Sequence, residues 1–231
     1  MSKLIYIADD EQNIRRLIHS FLEKEGYAVK SFATGDALFE NFQSKPCDLV
    51  ILDIMMPGSS GLIICTKLRA ISKVPIIMLT ARDTEEDFIS GISLGSDDYF
   101  TKPFSPIKLT MRVKAMLRRV EMDTETNTKN DTITLSDITI FPERLTAECN
   151  GKELGLTGTE FSLLSYLVEN NDKAISREEL LNKIWGYDNI VETRATDATV
   201  KRLRGKLADA GSQVSIETVW GHGFRIREGA Q

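Results

Sequence analysis

The sequence predicts an α/β protein, a doubly wound five-stranded parallel sheet, followed by a smaller α+β domain. Three observations predict it. Through the first half, short apolar runs alternate with segments of helical periodicity, five times over. Those runs are apolar on both faces, as strands covered by helices on both sides must be. Beyond residue 131 the pattern changes to short strands, three helices and a closing two-stranded ribbon. At 231 residues the chain exceeds the usual single domain, so the division expected is 1–120, a linker at 121–131, and 132–229.

Each element has its own signal. Leu4–Ile7 reads as a buried strand, and Asn13–Lys24 as a helix with Ile14, Leu17, Ile18, Phe21 and Leu22 on one face. Gly26 ends that helix, "YAVKSF" is a short strand, and a helix follows near Gly35–Gln43. "LVILDI" is a fully apolar strand, "GLIICTKLRAI" a helix, "VPIIMLTA" another strand, and "TEEDFISGISLG" a helix closed by Gly95. "DYFTKPF" supplies the fifth strand and its loop. "SPIKLTMRVKAMLRRV" is a helix with Pro106 in its first turn. Right-handed crossovers then put any ligand at the carboxyl ends of the strands. "EMDTETNTKND" is polar enough to be a linker. After it come "TITL", "DITIF" and "LTAEC" as strands, helices near Thr159–Asn170, Arg177–Trp185 and Arg194–Ala210, and the ribbon "VSIETV–WGHG–FRIR".

Composition narrows the function. No apolar stretch approaches the roughly 20 residues of a membrane span, and the N-terminus has no signal-peptide pattern, so a cytoplasmic protein without a membrane partner is expected. Cys47, Cys65 and Cys149 are odd in number and lack CxxC spacing, which argues against a disulfide framework or thiolate metal site. Residues 1–120 carry 16 Lys/Arg against 15 Asp/Glu, and residues 121–231 carry 13 against 19. Nucleic-acid binding therefore has to rest on a local basic patch.

The stretch "LIYIADDE" runs a greasy strand into three acids, which repel one another and are costly to desolvate. A cation would relieve both costs. Asp9 and Asp10, Asp53 and Thr80 all fall at strand ends on the ligand-binding edge, and Lys102–Pro103 follows the last strand. Carboxylates at Asp10 and Asp53, with Asp9 behind, offer the hard oxygens that Mg²⁺ prefers. Lys102 and the Thr80 hydroxyl can then meet phosphoryl oxygens.

"IADDE", "LVILDIMMPG", "LTAR" and "DDYFTKPF", in that order, resemble the flavodoxin-like receiver domain of two-component response regulators. The resemblance covers residues 1–120. It implies that Asp53 takes a phosphoryl group from a sensor histidine kinase. It implies Mg²⁺ held by Asp10, Asp53 and the main-chain carbonyl of Met55, with Asp9 acting through water. It also implies Tyr99 as a rotameric switch coupled to Thr80, and a cis peptide at Lys102–Pro103. Only gain and loss of its own phosphoryl group would count as catalysis.

In "TRATDATVKRLRGKLADAG", Val200, Leu203 and Leu207 form a core-facing stripe, with Lys201, Arg202 and Lys206 pointing away and Arg204 at its border. Five basic residues and one acid lie between Arg194 and Lys206, inside an otherwise acidic half. Together with "LTGTEFSLLSYL", "SREELLNKIWGYD" and "ETVWGHGFRIR", the segment resembles the winged helix-turn-helix effector of the OmpR/PhoB class. That implies a recognition helix over 194–208 binding double-stranded promoter DNA. Arg202 is the candidate for a base, Thr199, Lys201 and Arg204 are candidates for phosphate, and Arg194 belongs to the same surface. "GYDNIVET" corresponds to a loop that can face RNA polymerase, and Trp185 is expected in the core.

Two features depart from that family's pattern. Its wing turn commonly carries an Arg that enters the minor groove, whereas Trp220 stands here, predicting weaker A·T preference. Its phosphorylated receivers form a homodimer through the helix before the fifth strand, that strand, and the helix after it. One usual charged pair there is replaced by Phe88 and Lys108. Asp97, Asp98, Arg112 and Arg119 remain, with Phe88 and Ile92 as apolar contacts. The alternative is a regulator of the same fold that acts without phosphorylation. A hydrolase with a nucleophilic Asp53 would want an acid two residues on, where Met55 stands. No GxGxxG or GxxxxGK[ST] run offers a nucleotide cradle.

Overall fold

The computed structural model describes residues 2–81, 95–125, 132–186 and 194–229; for 118–125 and 194 only the main chain is described. The chain divides into two units, 1–117 and 118–231.

In the first unit the strands are β1 (Leu4–Ala8), β2 (Ala28–Phe32), β3 (Leu49–Asp53), β4 (Ile76–Thr80) and β5 (Asp98–Thr101). They pair in parallel in the order β2-β1-β3-β4-β5. Strand alternation sends Ile5, Ile7, Leu49, Ile51, Ile77 and Leu79 to one face, where helices α1 (Gln12–Lys24) and α4 (Pro106–Glu125) cover them with Ile18, Leu22, Leu109 and Val113. Tyr6, Ala8, Val50, Leu52, Ile76 and Met78 face the other way. There α2 (Gly35–Ser44) and α3 (Gly61–Ile71) pack Leu38, Phe42, Ile64 and Leu68 on them. This is the double winding that the two-sided apolar runs predict.

One helix runs past its expected end. Helix α4 continues to Glu125, through the first five residues expected as linker. Glu121, Met122 and Glu125 are good helix formers, so the sequence there does not end the helix. The helix expected over 84–95 lies outside the described residues, except for Gly95.

The second unit begins with a four-stranded antiparallel sheet: β6 (Ile133–Leu135), β7 (Ile138–Phe141), β8 (Thr146–Cys149) and β9 (Lys152–Glu153). Next come α5 (Gly158–Glu169) and β10 (Ile175–Ser176), then α6 (Arg177–Leu180), which widens into a π turn over Leu181–Trp185. The long helix α7 (Arg194–Asp209) leads to the hairpin β11 (Val214–Val219) and β12 (Gly223–Glu228), which β10 extends to three strands. Strands β9 and β10, two residues each, are too short to leave a periodic signal. Phe161, Leu164, Trp185, Val200, Leu203, Leu207, Phe224 and Ile226 share one core, so Trp185 is a packing residue.

Candidate functional site

Register brings the acids together. Ala8 pairs with Leu52, so the next residues, Asp9 and Asp53, emerge level at the carboxyl edge where β1 and β3 meet. In a 2-1-3-4-5 sheet this is the point where the winding reverses, and a crevice opens there. Thr80 ends β4 opposite Thr101, and Lys102 follows at once. Close packing keeps the edge in place: a Cβ on Gly61, the first residue of α3, would lie 2.0 Å from the Asp53 carbonyl oxygen.

Lys102 Nζ sits 2.8 Å from Asp9 Oδ2, 3.0 Å from Asp53 Oδ2 and 3.4 Å from Glu11 Oε1. Asp9, Asp53 and Thr80 are buried, while Asp10 faces solvent. One oxygen of each of Asp9, Asp10 and Asp53 lies within 4.8 Å of the others. Asp53 Oδ1 is buried with no hydrogen-bond donor, an acceptor free to meet a cation. Burial pushes the Asp53 carboxyl above its ordinary range; the hydrogen bond and charge of Lys102 oppose this and Asp9 adds to it. Burial raises Asp9 likewise. For Lys102, burial alone would lower the ammonium, but its bonds to Asp9 and Asp53 outweigh that and raise it.

The donor set therefore fits a divalent ion: three carboxylates, one of them open to solvent, and an orphaned oxygen. Tyr99 is half-buried against the core face that holds Met78, and the Met55 side chain points out beside its own main chain. The Lys102–Pro103 peptide is cis. Arg15, which the sequence reading passed over, donates to the main-chain carbonyls of Asp9 and Asp10. Its signal was a basic residue in the second turn of a helix that starts at the acids.

Three residues expected on the dimer surface are placed inward. Asp98 is ion-paired with Arg112, and Asp97 accepts from Arg69 Nη2 at 2.5 Å and from the Ile76 N–H at 2.9 Å. Asp97, Asp98 and Arg112 are all buried and paired within the unit rather than presented on its surface. The reason is the loop before β5. Gly95, at φ +108°, turns the chain so that Arg69 reaches both the Gly95 carbonyl and the Asp97 carboxylate. Phe88 and Ile92 lie outside the described residues, as does the Arg119 side chain. On α4, Ile107 and Met111 are exposed, and Lys108 lies between them.

On α7 the orientation of Arg202 is also corrected. It does not point outward: its Nε donates to Glu160 Oε1 at 2.9 Å. Glu160 is 1% exposed, closes a capping box with Thr157 at the start of α5, and also receives Lys206 Nζ at 2.6 Å. Arg202 and Lys206 hold its carboxyl below the usual range against the opposing effect of burial. The signal was present, because "TGTE" is a capping box in sequence. Thr199 is buried and bonds back to the Ala195 carbonyl. Arg204 donates to the Ile216 carbonyl at 2.6 Å and to Thr218 Oγ1 at 3.0 Å, tying α7 to the hairpin. Lys201 remains outward, and Trp220, 91% exposed, stands at the hairpin tip. The Arg194 side chain and residues 187–193, most of "GYDNIVET", lie outside the described residues.

Comparison with known proteins agrees with both halves. Residues 5–114 match the response regulator receiver domain, and residues 151–226 match the C-terminal domain of transcriptional regulatory proteins. The chain is 39% identical over 233 residues to the transcriptional regulatory protein ResD of Bacillus subtilis, covering 98% of this chain and 97% of ResD. It is 41% identical over 232 residues to the regulatory protein VanR of Enterococcus faecium, covering 99% and 100%. The crystal structure of DrrB, an OmpR/PhoB homologue from Thermotoga maritima, aligns over all of both chains at 31% identity and a TM-score of 0.52. The chain belongs to the OmpR/PhoB family of two-component response regulators, with a receiver domain followed by a DNA-binding domain that regulates transcription.

Proposed function

We propose that Asp53 is the phosphoacceptor of this regulator, and that phosphorylation there controls a homodimer on promoter DNA in the cytoplasm. The observation that carries it is Asp53 itself, with Oδ2 held by Lys102 and Oδ1 buried without a donor. Asp10, Asp53 and the Met55 carbonyl would hold Mg²⁺, with Asp9 acting through water. When bound, the ion neutralises charge on the phosphoryl oxygens and lowers the repulsion an anionic nucleophile meets.

An Asp53 carboxylate oxygen attacks phosphorus in line with the phosphohistidine of a sensor kinase. The new O–P bond forms as the P–N bond breaks, and the imidazole leaves with its electron pair. Lys102 and the Thr80 hydroxyl take the remaining phosphoryl oxygens. Lys102 is already oriented by the acids, so little reorganisation is needed. Release of the phosphoryl group to water is the only other chemistry the pocket performs. Movement of Thr80 toward phosphate frees space that Tyr99 fills, which shifts the adjacent surface toward pairing. The exposed Ile107 and Met111 support an apolar contribution to that contact.

Two recognition helices on one dimer then engage two half-sites, which raises affinity without a new base contact. Lys201 and Trp220 face solvent on the helix and the hairpin tip, whereas Arg202, Arg204 and Thr199 hold those elements in place. The segment "GYDNIVET", residues 186–193, is the one that would meet RNA polymerase. Intact-mass analysis after incubation with Mg²⁺ and a small phosphodonor tests the central claim. One added phosphoryl group, absent in Asp53→Asn, is expected; an unmodified wild-type Asp53 would overturn it.

A further inference from the structure

Strand β1 ends at Ala8 and α1 begins at Gln12, so Asp9 and Asp10 cross from sheet to helix. Main-chain carbonyls in such a crossing need partners, and their orientation decides where the neighbouring side chains point. One nitrogen takes both. Arg15 Nη1 donates to the Asp9 carbonyl at 2.5 Å and to the Asp10 carbonyl at 2.8 Å. Arg15 is itself fixed in α1, its N–H bonded to the Glu11 carbonyl at 3.1 Å.

The two acids depend on this bond unequally. The Asp9 carboxylate is held twice more, by the Glu11 N–H at 2.9 Å and by Lys102 at 2.8 Å. Among the described residues Asp10 has only the Arg15 contact. Lys102 and Arg15 also differ in where their charge lies. The Lys102 ammonium rests on one carboxylate oxygen each of Asp9 and Asp53, whereas the Arg15 guanidinium rests on main-chain oxygens. Arg15 therefore offsets acid–acid repulsion and leaves the carboxylates uncovered.

We infer that Arg15 is a positioning residue for the divalent-cation site, aiming the Asp10 carboxylate at Asp53 through its hold on two consecutive carbonyls. The inference rests on the reading that Asp9, Asp10 and Asp53 take up Mg²⁺.

Calorimetric titration of the full-length protein with Mg²⁺, without a phosphodonor, tests it on wild type and Arg15→Met. Supporting groups around metal ligands are typically worth ten- to a hundredfold in affinity, and a loss of about tenfold is expected. The Mg²⁺ needed for half-maximal phosphorylation by a small phosphodonor should rise by the same factor, with the rate at saturating Mg²⁺ retained. A purely structural role would instead lower the melting temperature in chelator and leave the titration unchanged. Arg15→Gln, neutral and too short to span both carbonyls, carries the same expectation should the Met variant fold poorly. Wild-type Mg²⁺ affinity in a folded variant would overturn the inference. A wild type that binds no Mg²⁺ would overturn the reading of the pocket instead.

Discussion

Arg202 Nε donates to Glu160 Oε1 at 2.9 Å, so the central arginine of α7 is anchored to the first turn of another helix. Glu160 is buried, and a buried carboxylate that loses a partner is costlier than one replaced together with it. Arg202→Met should therefore lower stability by about 1–3 kcal/mol in urea melts, tempered because Lys206 still reaches Glu160. Adding Glu160→Gln should recover most of the loss, since Gln keeps the capping box with Thr157. The double variant, folded and phosphorylated, is expected to select the same operator bases as wild type. Loss of preference at one base pair would show that Arg202 reads DNA after all.

Among the described side chains of α7, Lys201 is the cation left facing outward. Lys201→Ala should leave the melting temperature unchanged and weaken DNA binding in gel shifts. A phosphate-contacting lysine releases counterions, so the slope of log affinity against log salt should fall by about 1. A changed base preference with an unchanged slope would make Lys201 a base reader.

How far the sequence spoke for this arrangement differs between the two halves. Two-sided apolar runs and helical periodicity are local signals, and β1, β3 and β4 with α1 and α3 follow them almost residue for residue. The acid pocket was legible because its residues sit at strand ends, where a parallel sheet has already decided they must converge. Arg202 was misjudged for the opposite reason. Helical spacing places it one residue from the core-facing stripe, and only the fold brings Glu160, 42 residues earlier, to meet it. Asp97 and Asp98 likewise look like surface charges until Arg69 and Arg112 arrive from other helices. Burial of a long-range ion pair is a tertiary fact with no periodic trace.

Trp220 stands 91% exposed in the turn of the β11–β12 hairpin, beside Gly221 at φ +73°. An indole there contributes nothing to the core, so Trp220→Ala should change stability by less than about 0.5 kcal/mol. Its role is read in DNA binding. An aromatic ring can pack on sugar, but it lacks the charge that a narrow A·T minor groove attracts. Trp220→Arg should raise affinity for operators flanked by A-tracts more than for G·C-flanked ones. Equal affinity for both, as in wild type, would mean that the hairpin tip does not reach the groove.

The Asp53 carboxyl is raised by burial, against Lys102 and with Asp9, and that sets a pH dependence. A group whose folded pKa exceeds its unfolded value contributes stability below the unfolded value and loses it as pH rises through the folded one. Above that window the folded protein bears the cost of ionised Asp53 next to Asp9. Asp53→Asn removes that cost while keeping the shape. Without metal at neutral pH the variant should melt a few degrees above wild type, the scale of about 1 kcal/mol in a chain of this size. The gap should close as pH falls toward the unfolded carboxylate range near about 4. Mg²⁺ should reverse the order at neutral pH, because it binds the wild-type pocket in its folded state and has lost an anionic ligand in the variant. Calorimetric melts in chelator and in Mg²⁺, at pH 4 and pH 7, separate these effects. A variant that melts lower than wild type in chelator at pH 7 would mean that the Lys102–Asp53 pair outweighs the burial of both charges.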